Sequence, residues 1–300
     1  MILQHKQSDQ PIFIIGCGDI GKRVGQRLLQ QDAAVHAIVR RSDAAKTLSD
    51  KGFVSYTLDF DEEVKPGDVN TTAVQLFYFM PPSPSGEQDK RMSRVLTLLE
   101  RTGLPARILY ISTTGVYGNT HGDWVTEESP TTPDTGRAQR RLDAEQQLQQ
   151  WCEQHDVEYV ILRVPGIYGD GRWPLERLRQ QKPVLLENES VYVNRIHAED
   201  LTDICIKAMQ QAPSQRIYNV SDGQPCSMTS YFNQLADAFD LPRPPQIARA
   251  DAESKISPAM LSYMDESRRV SNELLVKELQ INLRYPSLAD ALRDVSANEK

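Results

Sequence analysis

Cysteine is scarce in this chain of 300 residues: only Cys17, Cys152, Cys205 and Cys226 occur, and no two have CxxC spacing. That excludes a zinc ribbon, a thioredoxin-type dithiol and a disulfide-stapled secreted scaffold, and the four read as small buried hydrophobes in a reducing compartment. Histidine is nearly as rare, and His5, His36, His121, His155 and His197 show no metal-ligand spacing with each other or with cysteine. Positive charge is short as well, with 34 Lys and Arg against 41 Asp and Glu, a net charge of −7 and only short basic pairs such as Arg40-Arg41 and Arg268-Arg269. Such a surface lacks the electrostatic footprint of a DNA, RNA or anionic-membrane binder. No uninterrupted apolar stretch approaches the length that crosses a bilayer, and the first ten residues have no signal-peptide h-region. The expectation is a cytoplasmic protein whose partner is a small molecule.

What the chain does contain is an alternation of apolar strand-like runs with helical stretches, the pattern of a parallel sheet covered on both faces. Strands are expected at Pro11–Ile15, Ala34–Val39, Phe53–Leu58, Ala73–Met80, Arg107–Ser112 and Tyr159–Val164. The helices between them are expected at Gly21–Gln31, Glu87–Arg101 and Gly136–His155. After Pro165 the pattern loosens. Helices are expected at Ala198–Gln210 and Thr229–Phe239, with two more behind Ser271 and Ser287 as N-caps, while the proline-punctuated Leu241–Ser257 reads as a surface loop. The length suits one α/β assembly, a Rossmann-type doubly wound sheet over residues 1–165 with a smaller substrate lobe over 166–300 interleaved with the last core strands.

Gly16-Cys17-Gly18-Asp19-Ile20-Gly21 is a GxGxxG element lying between the first strand and the first helix. In that context the first glycine permits the tight turn, the second lets a pyrophosphate approach the backbone, and the third lets helix and strand pack closely. An NAD site usually carries an acid after the second strand for the ribose hydroxyls, but this chain offers Arg40, Arg41 and Ser42 there. Guanidinium groups match a 2′-phosphate bidentately, so NADP(H) is favoured, with NAD the alternative. Asp59, after the third strand, is positioned either to accept from an adenine amino group or to cap a turn.

Four further stretches complete a pattern: Ser112-Thr113-Thr114-Gly115-Val116-Tyr117-Gly118, Arg163-Val164-Pro165-Gly166-Ile167-Tyr168-Gly169, Arg195-Ile196-His197-Ala198-Glu199-Asp200-Leu201 and Tyr218-Asn219-Val220-Ser221-Asp222. With the glycine loop, they make the chain resemble the extended short-chain dehydrogenase/reductase superfamily in its NAD-dependent epimerase/dehydratase branch. It is most similar to the atypical subgroup that includes the YeeZ-like proteins, through Ser267–Asn272 and Arg284-Tyr285-Pro286 as well. The resemblance implies a Rossmann core, a C-terminal substrate lobe, frequent homodimers, and Thr113 in the place of the active-site serine or threonine that hydrogen-bonds the reacting oxygen.

The chain then departs from that pattern. Standard members carry a tyrosine and, four residues on, a lysine whose charge lowers the phenol pKa for proton exchange. No tyrosine or lysine occurs from Gly118 to Glu158, and Ile15 stands where the first glycine of the usual GxxGxxG would be. Matching Leu142-Asp143-Ala144-Glu145 to the family's run puts Arg141 at the lysine position, as a donor to nicotinamide ribose hydroxyls, and Arg137 at the tyrosine position. Arg137 cannot relay a proton because it never deprotonates at physiological pH. Tyr117 and Tyr168 are the candidates for a relocated donor, each with a packing role as the alternative, and His197 reads first as a structural histidine. His121, Glu127-Glu128 and Asp61-Glu62-Glu63 read as solvated loop positions, and Ser112 lacks the GxSxG elbow of a hydrolase. Two functions stay open: an NADP(H)-dependent oxidoreductase or epimerase, and a non-catalytic NADP(H)-binding sensor.

Overall fold

A computed structural model of the chain describes residues 10–298; His5 lies outside them. The central element is a seven-stranded sheet. Its first four strands are β1 (Ile12–Ile15), β2 (Val35–Val39), β3 (Val54–Thr57) and β4 (Gln75–Tyr78), followed by β5 (Arg107–Thr113) and by strands Glu158–Val164 and Arg216–Asn219. From one edge the order is Arg216–Asn219, Glu158–Val164, β5, β4, β1, β2, β3. The ladder from β5 to β3 is parallel throughout, with Ile15 opposite both Ile38 and Tyr78. All four side chains of β1 are buried, as are Leu76, Phe77 and Tyr78 of β4, which is why these strands read as continuous apolar runs. The expected doubly wound parallel sheet is therefore present, and its order reverses beside β1, between β4 and β2.

Helix α1 (Asp19–Leu29) buries Ile20, Val24 and Leu28 on one stripe, and α2 (Ser42–Ser49) buries Ala45 and Leu48. Helix α3 (Lys90–Thr102) is N-capped by Asp89, whose Oδ1 accepts from the Arg91 amide. Helix α4 (Gly136–His155) follows, and its Asp143 carboxylate accepts from the Asp89 amide at 2.7 Å.

Two compact units are formed. Unit 1 comprises 1–111, 143–161 and 205–216, and unit 2 comprises 112–142, 162–204 and 217–300. Within unit 2 short ladders do the joining: Gly166–Tyr168 lies parallel to Arg195–His197, Trp124–Val125 parallel to Arg269–Val270, and Tyr192–Val193 antiparallel to Cys226–Ser227. A core of Tyr168, Leu178, Val184, Phe232, Leu235 and Tyr285 fills it. The segment Leu241–Ser257, expected as a loop, contains strand Gln246–Ile247 paired with Val184–Leu185, a 3-10 turn Arg249–Asp251 and a helical turn Ala252–Lys255. Elements this short are too brief to carry a hydrophobic period, so the prolines dominated the reading. Ser287 does lead a helix, Leu288–Asn298, accepting from the Asp290 amide, whereas Ser271 stands one residue before the N-cap Asn272. No helix among the described residues is long and apolar enough to cross a membrane.

Candidate functional site

The glycine loop of unit 1 is threaded between the ends of two neighbouring strands. The Gly16 amide donates to the Ile38 carbonyl at 3.2 Å, and the Phe79 amide donates to the Ile15 carbonyl at 2.8 Å. Gly16 sits at φ 83°, and a Cβ there would stand 2.5 Å from the Met80 nitrogen, so both conformation and space demand glycine. A Cβ on Gly21 would lie 3.2 Å from the Gly16 carbonyl oxygen and from Ile14 Cγ2, which is how closely α1 seats on β1. Gly18 is different: its φ is negative, and a Cβ would meet nothing nearer than the Gly16 oxygen at 4.0 Å. The protein's own packing gives no reason for a glycine at that position. Helix α1 opens at Gly18 without a side-chain cap, and a helix start presents amide donors and the positive end of its dipole. Of the remaining loop residues, Ile20 is buried, Asp19 pairs with Arg23 at 3.1 Å, and burial pushes the Cys17 thiol up to about 12, so it stays protonated and inert.

At the end of β2, Arg40 and Arg41 are exposed. Arg40 Nη1 is 3.5 Å from Asp61 Oδ2, and Arg41 pairs with Asp43 across 3.2 Å at the start of α2. Asp61 is not a solvated loop carboxylate as expected. Arg91 grips it bidentately, Nε to Oδ1 at 2.6 Å and Nη2 to Oδ2 at 2.5 Å, and these bonds hold its carboxyl below the usual range. Arg91 Nη1 also donates to the Pro81 and Pro82 carbonyls, so one guanidinium fastens the loop after β4 to the loop after β3. Asp59 Oδ1 accepts from the Asp61 amide at 2.9 Å, the turn-capping arrangement.

In unit 2, Thr113 ends β5 half-buried, and its Oγ1 accepts from the Gly115 amide at 3.2 Å. Its hydroxyl proton has no acceptor among the described residues. Tyr117 is 0% exposed; its hydroxyl donates to Asn219 Oδ1 at 2.7 Å and accepts from Arg163 Nη1 at 3.0 Å. Burial pushes its phenol pKa up. Tyr168 is equally sealed, its hydroxyl has no hydrogen-bond partner among the described residues, and desolvation together with the nearby Asp222 and Asp200 drives its pKa upward. Both tyrosines are thus enclosed, the arrangement of the packing role that stands as the alternative to proton donation for each.

His197 is buried, its Nδ1 accepts from the Glu199 amide, and its ring packs edge-on to Tyr168 and 3.9 Å from Tyr285. Arg137 is also committed, donating to Ser262 Oγ at 2.9 Å and Glu266 Oε1 at 3.2 Å and lying over the Tyr263 ring. Arg141 lies half-buried on α4. Glu127, expected on an exposed face, is instead half-buried with Oε1 accepting from the Asn219 amide at 2.7 Å, and burial raises its pKa. Its partner lies too far away in sequence for any local pattern to reveal the pairing.

The sequence reading also passed over a polar cluster in unit 2. Arg195 interacts electrostatically with Asp222, Cys226 and Tyr231, Cys226 also with Asp222 and Tyr231, and Tyr168 with Asp222 and Tyr231. Arg195 and Asp222 both stand in quoted motifs, so the signal was an arginine in one motif and an acid in another. Among the described residues no three His, Cys, Asp or Glu side chains gather to hold a metal ion.

Comparison with known proteins agrees with this geometry. Residues 90–221 match the NAD dependent epimerase/dehydratase family, and residues 12–96 match the ketopantoate reductase PanE/ApbA family. The human dTDP-D-glucose 4,6-dehydratase is 23% identical over 137 residues, 43% of this chain and 39% of that enzyme, so the chain aligns with well under half the length of its curated relatives. A functionally unknown conserved protein from Silicibacter pomeroyi superposes with a TM-score of 0.83 at 25% identity, covering 97% of this chain and 99% of that one. The dTDP-glucose 4,6-dehydratase of Bacillus anthracis in complex with NAD superposes with a TM-score of 0.75 at 13% identity over 96% of each chain, a likeness of fold. The glycine loop between β1 and α1 and the strand order are those of a Rossmann-type fold, and over residues 90–221, a little under half of the chain, the sequence is similar to the NAD dependent epimerase/dehydratase family.

Proposed function

We propose that this protein binds NADP(H) at the glycine loop of unit 1 and acts as an oxidoreductase or epimerase-like protein on a small polar substrate, without the usual Tyr–Lys pair. The observation that carries the reading is Gly18. A Cβ there would meet nothing nearer than 4.0 Å at the uncapped start of α1, which leaves the backbone open to the approach of a pyrophosphate. Arg40 supports the 2′-phosphate: it is exposed, and the one carboxylate near it, Asp61, already has its charge met by Arg91. NAD is the alternative cofactor. Bound nicotinamide would supply the hydride donor or acceptor. On the protein's side, Thr113 contributes an unspent hydroxyl proton for a substrate oxygen.

A second reading, a non-catalytic NADP(H)-binding sensor, is favoured by one observation. Tyr117 and Tyr168 are sealed, and no tyrosine or lysine stands between Gly118 and Glu158. The stretches Ser267–Asn272 and Arg284–Pro286 support placement in the YeeZ-like subgroup.

Calorimetric titration of NADPH and NADH into wild type, Gly18→Ala and Arg40→Ala tests the common part. Gly18→Ala is expected to fold with a stability change within about 1 kcal/mol, because its Cβ has room, and to lose dinucleotide affinity. Arg40→Ala is expected to lower the NADPH-to-NADH affinity ratio. No binding of either nucleotide by the wild type overturns the proposal. A screen of sugar nucleotides, aldehydes and ketones for NADPH oxidation then separates the readings: turnover abolished by Thr113→Ala marks the enzyme, and nucleotide binding without turnover marks the sensor.

A further inference from the structure

A guanidinium that meets no acceptor is unusual in a folded protein, because its donors lose water on burial and regain nothing. Arg195 of unit 2 is such a group. It makes no hydrogen bond and no salt bridge to any described residue; its one specific contact is the Tyr231 ring, whose centroid lies 3.7 Å from Cζ. Its Nε is shielded from solvent with no partner, whereas its two terminal nitrogens, equally without partners, keep some solvent contact.

The backbone explains how the side chain is held. Arg195 pairs with Gly166 in a parallel ladder, so both project to the same face, and a Cβ on Gly166 would overlap Arg195 Nη1. The guanidinium therefore lies in the space glycine leaves, with the Tyr231 ring stacked upon it. Its position is fixed by two neighbours, neither of which accepts a hydrogen bond from it. A guanidinium restrained in this way is a preformed fork for a planar or tetrahedral oxyanion, because the rotamer entropy of a long side chain has already been lost.

We propose that Arg195 is the anchor of an oxyanion site in unit 2, taking a phosphate or carboxylate group of a small ligand on the edge formed by its two terminal nitrogens. The surroundings agree. Asp222, whose amide donates to the Arg195 carbonyl at 2.8 Å, is the nearest acid, yet it forms no ion pair with the guanidinium. Burial pushes its carboxyl up to about 7, so below neutrality it is mostly protonated and does not cancel the arginine's charge. Cys226 and the buried Tyr168 and Tyr231 complete the group, and none of them is an anion at neutral pH, since burial raises all three pKa values.

The site is independent of dinucleotide binding in unit 1, and the two are scored by different variants: NADPH affinity with Gly18→Ala, oxyanion affinity with Arg195→Gln. The test uses the full chain, with inorganic phosphate, pyrophosphate and succinate titrated at constant ionic strength so that general screening is held fixed. Two signals are followed: the NMR resonance of the Arg195 Nε–H, assigned by its loss in Arg195→Lys, and the thermal midpoint. The expected result is a saturable shift of that resonance with at least one anion, and stabilisation that disappears in Arg195→Gln. Preference for the phosphates identifies a phosphate-bearing ligand, and preference for succinate a carboxylate-bearing one. Gly166→Ala is expected to weaken binding at least about tenfold with the charge retained. If that variant does not fold, Tyr231→Leu removes the other wall and is expected to weaken binding likewise. No saturable shift with any of the three anions, or equal stabilisation of wild type and Arg195→Gln, overturns the proposal.

Discussion

Asp222→Asn should make the stability of this protein less sensitive to pH, and the size of the effect follows from the burial of one carboxyl. Asp222 is 7% exposed; its Oδ1 accepts from the Gln224 amide at 3.0 Å, and desolvation moves its pKa from the ordinary 3.8 to about 7, against the opposing pull of Arg195. Between those two values the native state keeps a proton that the unfolded chain releases, so stability falls as pH rises through this window and is level above it. At about 1.4 kcal/mol per pH unit, the ionised form costs about 4 kcal/mol. Asparagine retains the Oδ1 acceptor for Gln224 and never charges. Wild type and variant should therefore be alike near pH 4 and differ by about 4 kcal/mol in the variant's favour above pH 7. The assay is urea unfolding at a series of pH values, read as the difference between the two proteins. Asp200 and Glu127, also raised by burial, are common to both and cancel in that difference. A difference that stays constant across the series would refute the reasoning, because it would mean that Asp222 titrates alike in both states.

Two other positions give direct readings of packing. A Cβ at Gly25 would overlap the Phe53 ring and approach Ile14 Cδ1 at 3.1 Å, so Gly25→Ala should cost about 1–3 kcal/mol in urea unfolding. An unchanged midpoint would show that α1 shifts freely on the sheet. Tyr117→Phe leaves Asn219 Oδ1 and Arg163 Nη1 without the hydroxyl between them and should destabilise by about 1–3 kcal/mol. NADPH affinity should be unaltered, and a loss of affinity at undiminished stability would return Tyr117 to the functional residues.

The strands of unit 1 were legible because burial on both faces leaves no room for polar residues, and the glycine loop because its spacing between an apolar strand and a helix is itself the signal, although the neighbour that forbids a side chain at Gly16 is Met80, far away in sequence. Helix α2 was not legible: Ser42–Ser49 buries only Ala45 and Leu48, too little for an apolar stripe to stand out. The strand Arg216–Asn219 was not legible either, although the motif Tyr218–Asp222 overlaps its end, since four residues carry almost no period. Asp61 and Glu127 were misread for a common reason. Nothing near them in sequence predicts Arg91 or Asn219 as partners, and an acid in a polar stretch looks solvated until tertiary structure supplies its donor. Arg195 shows the converse. A cation in a motif looks satisfied, yet the fold gives it a glycine and an aromatic ring as neighbours.

No tyrosine or lysine stands between Gly118 and Glu158, and the residue that the resemblance puts at the tyrosine position has work of its own. The resemblance sets Arg137 at the tyrosine position, and Arg137 is a strut of unit 2: it holds Ser262 and Glu266 by hydrogen bonds and covers the Tyr263 ring. Glu266, with a side chain 9% exposed, also binds Arg268, whose Nε donates to the Gly118 carbonyl at 2.8 Å, so a chain of polar contacts runs from α4 to the turn after Tyr117. Arg137→Tyr breaks the first link and should cost about 1–3 kcal/mol, since Glu266 keeps only one of its two cations. Arg137→Tyr combined with Arg141→Lys is therefore informative only when its thermal midpoint is measured beside its turnover. A stable double variant that oxidises NADPH where the wild type does not would show that the position lost a catalyst and acquired a strut; an unchanged midpoint on Arg137→Tyr alone would show that the strut carries no load.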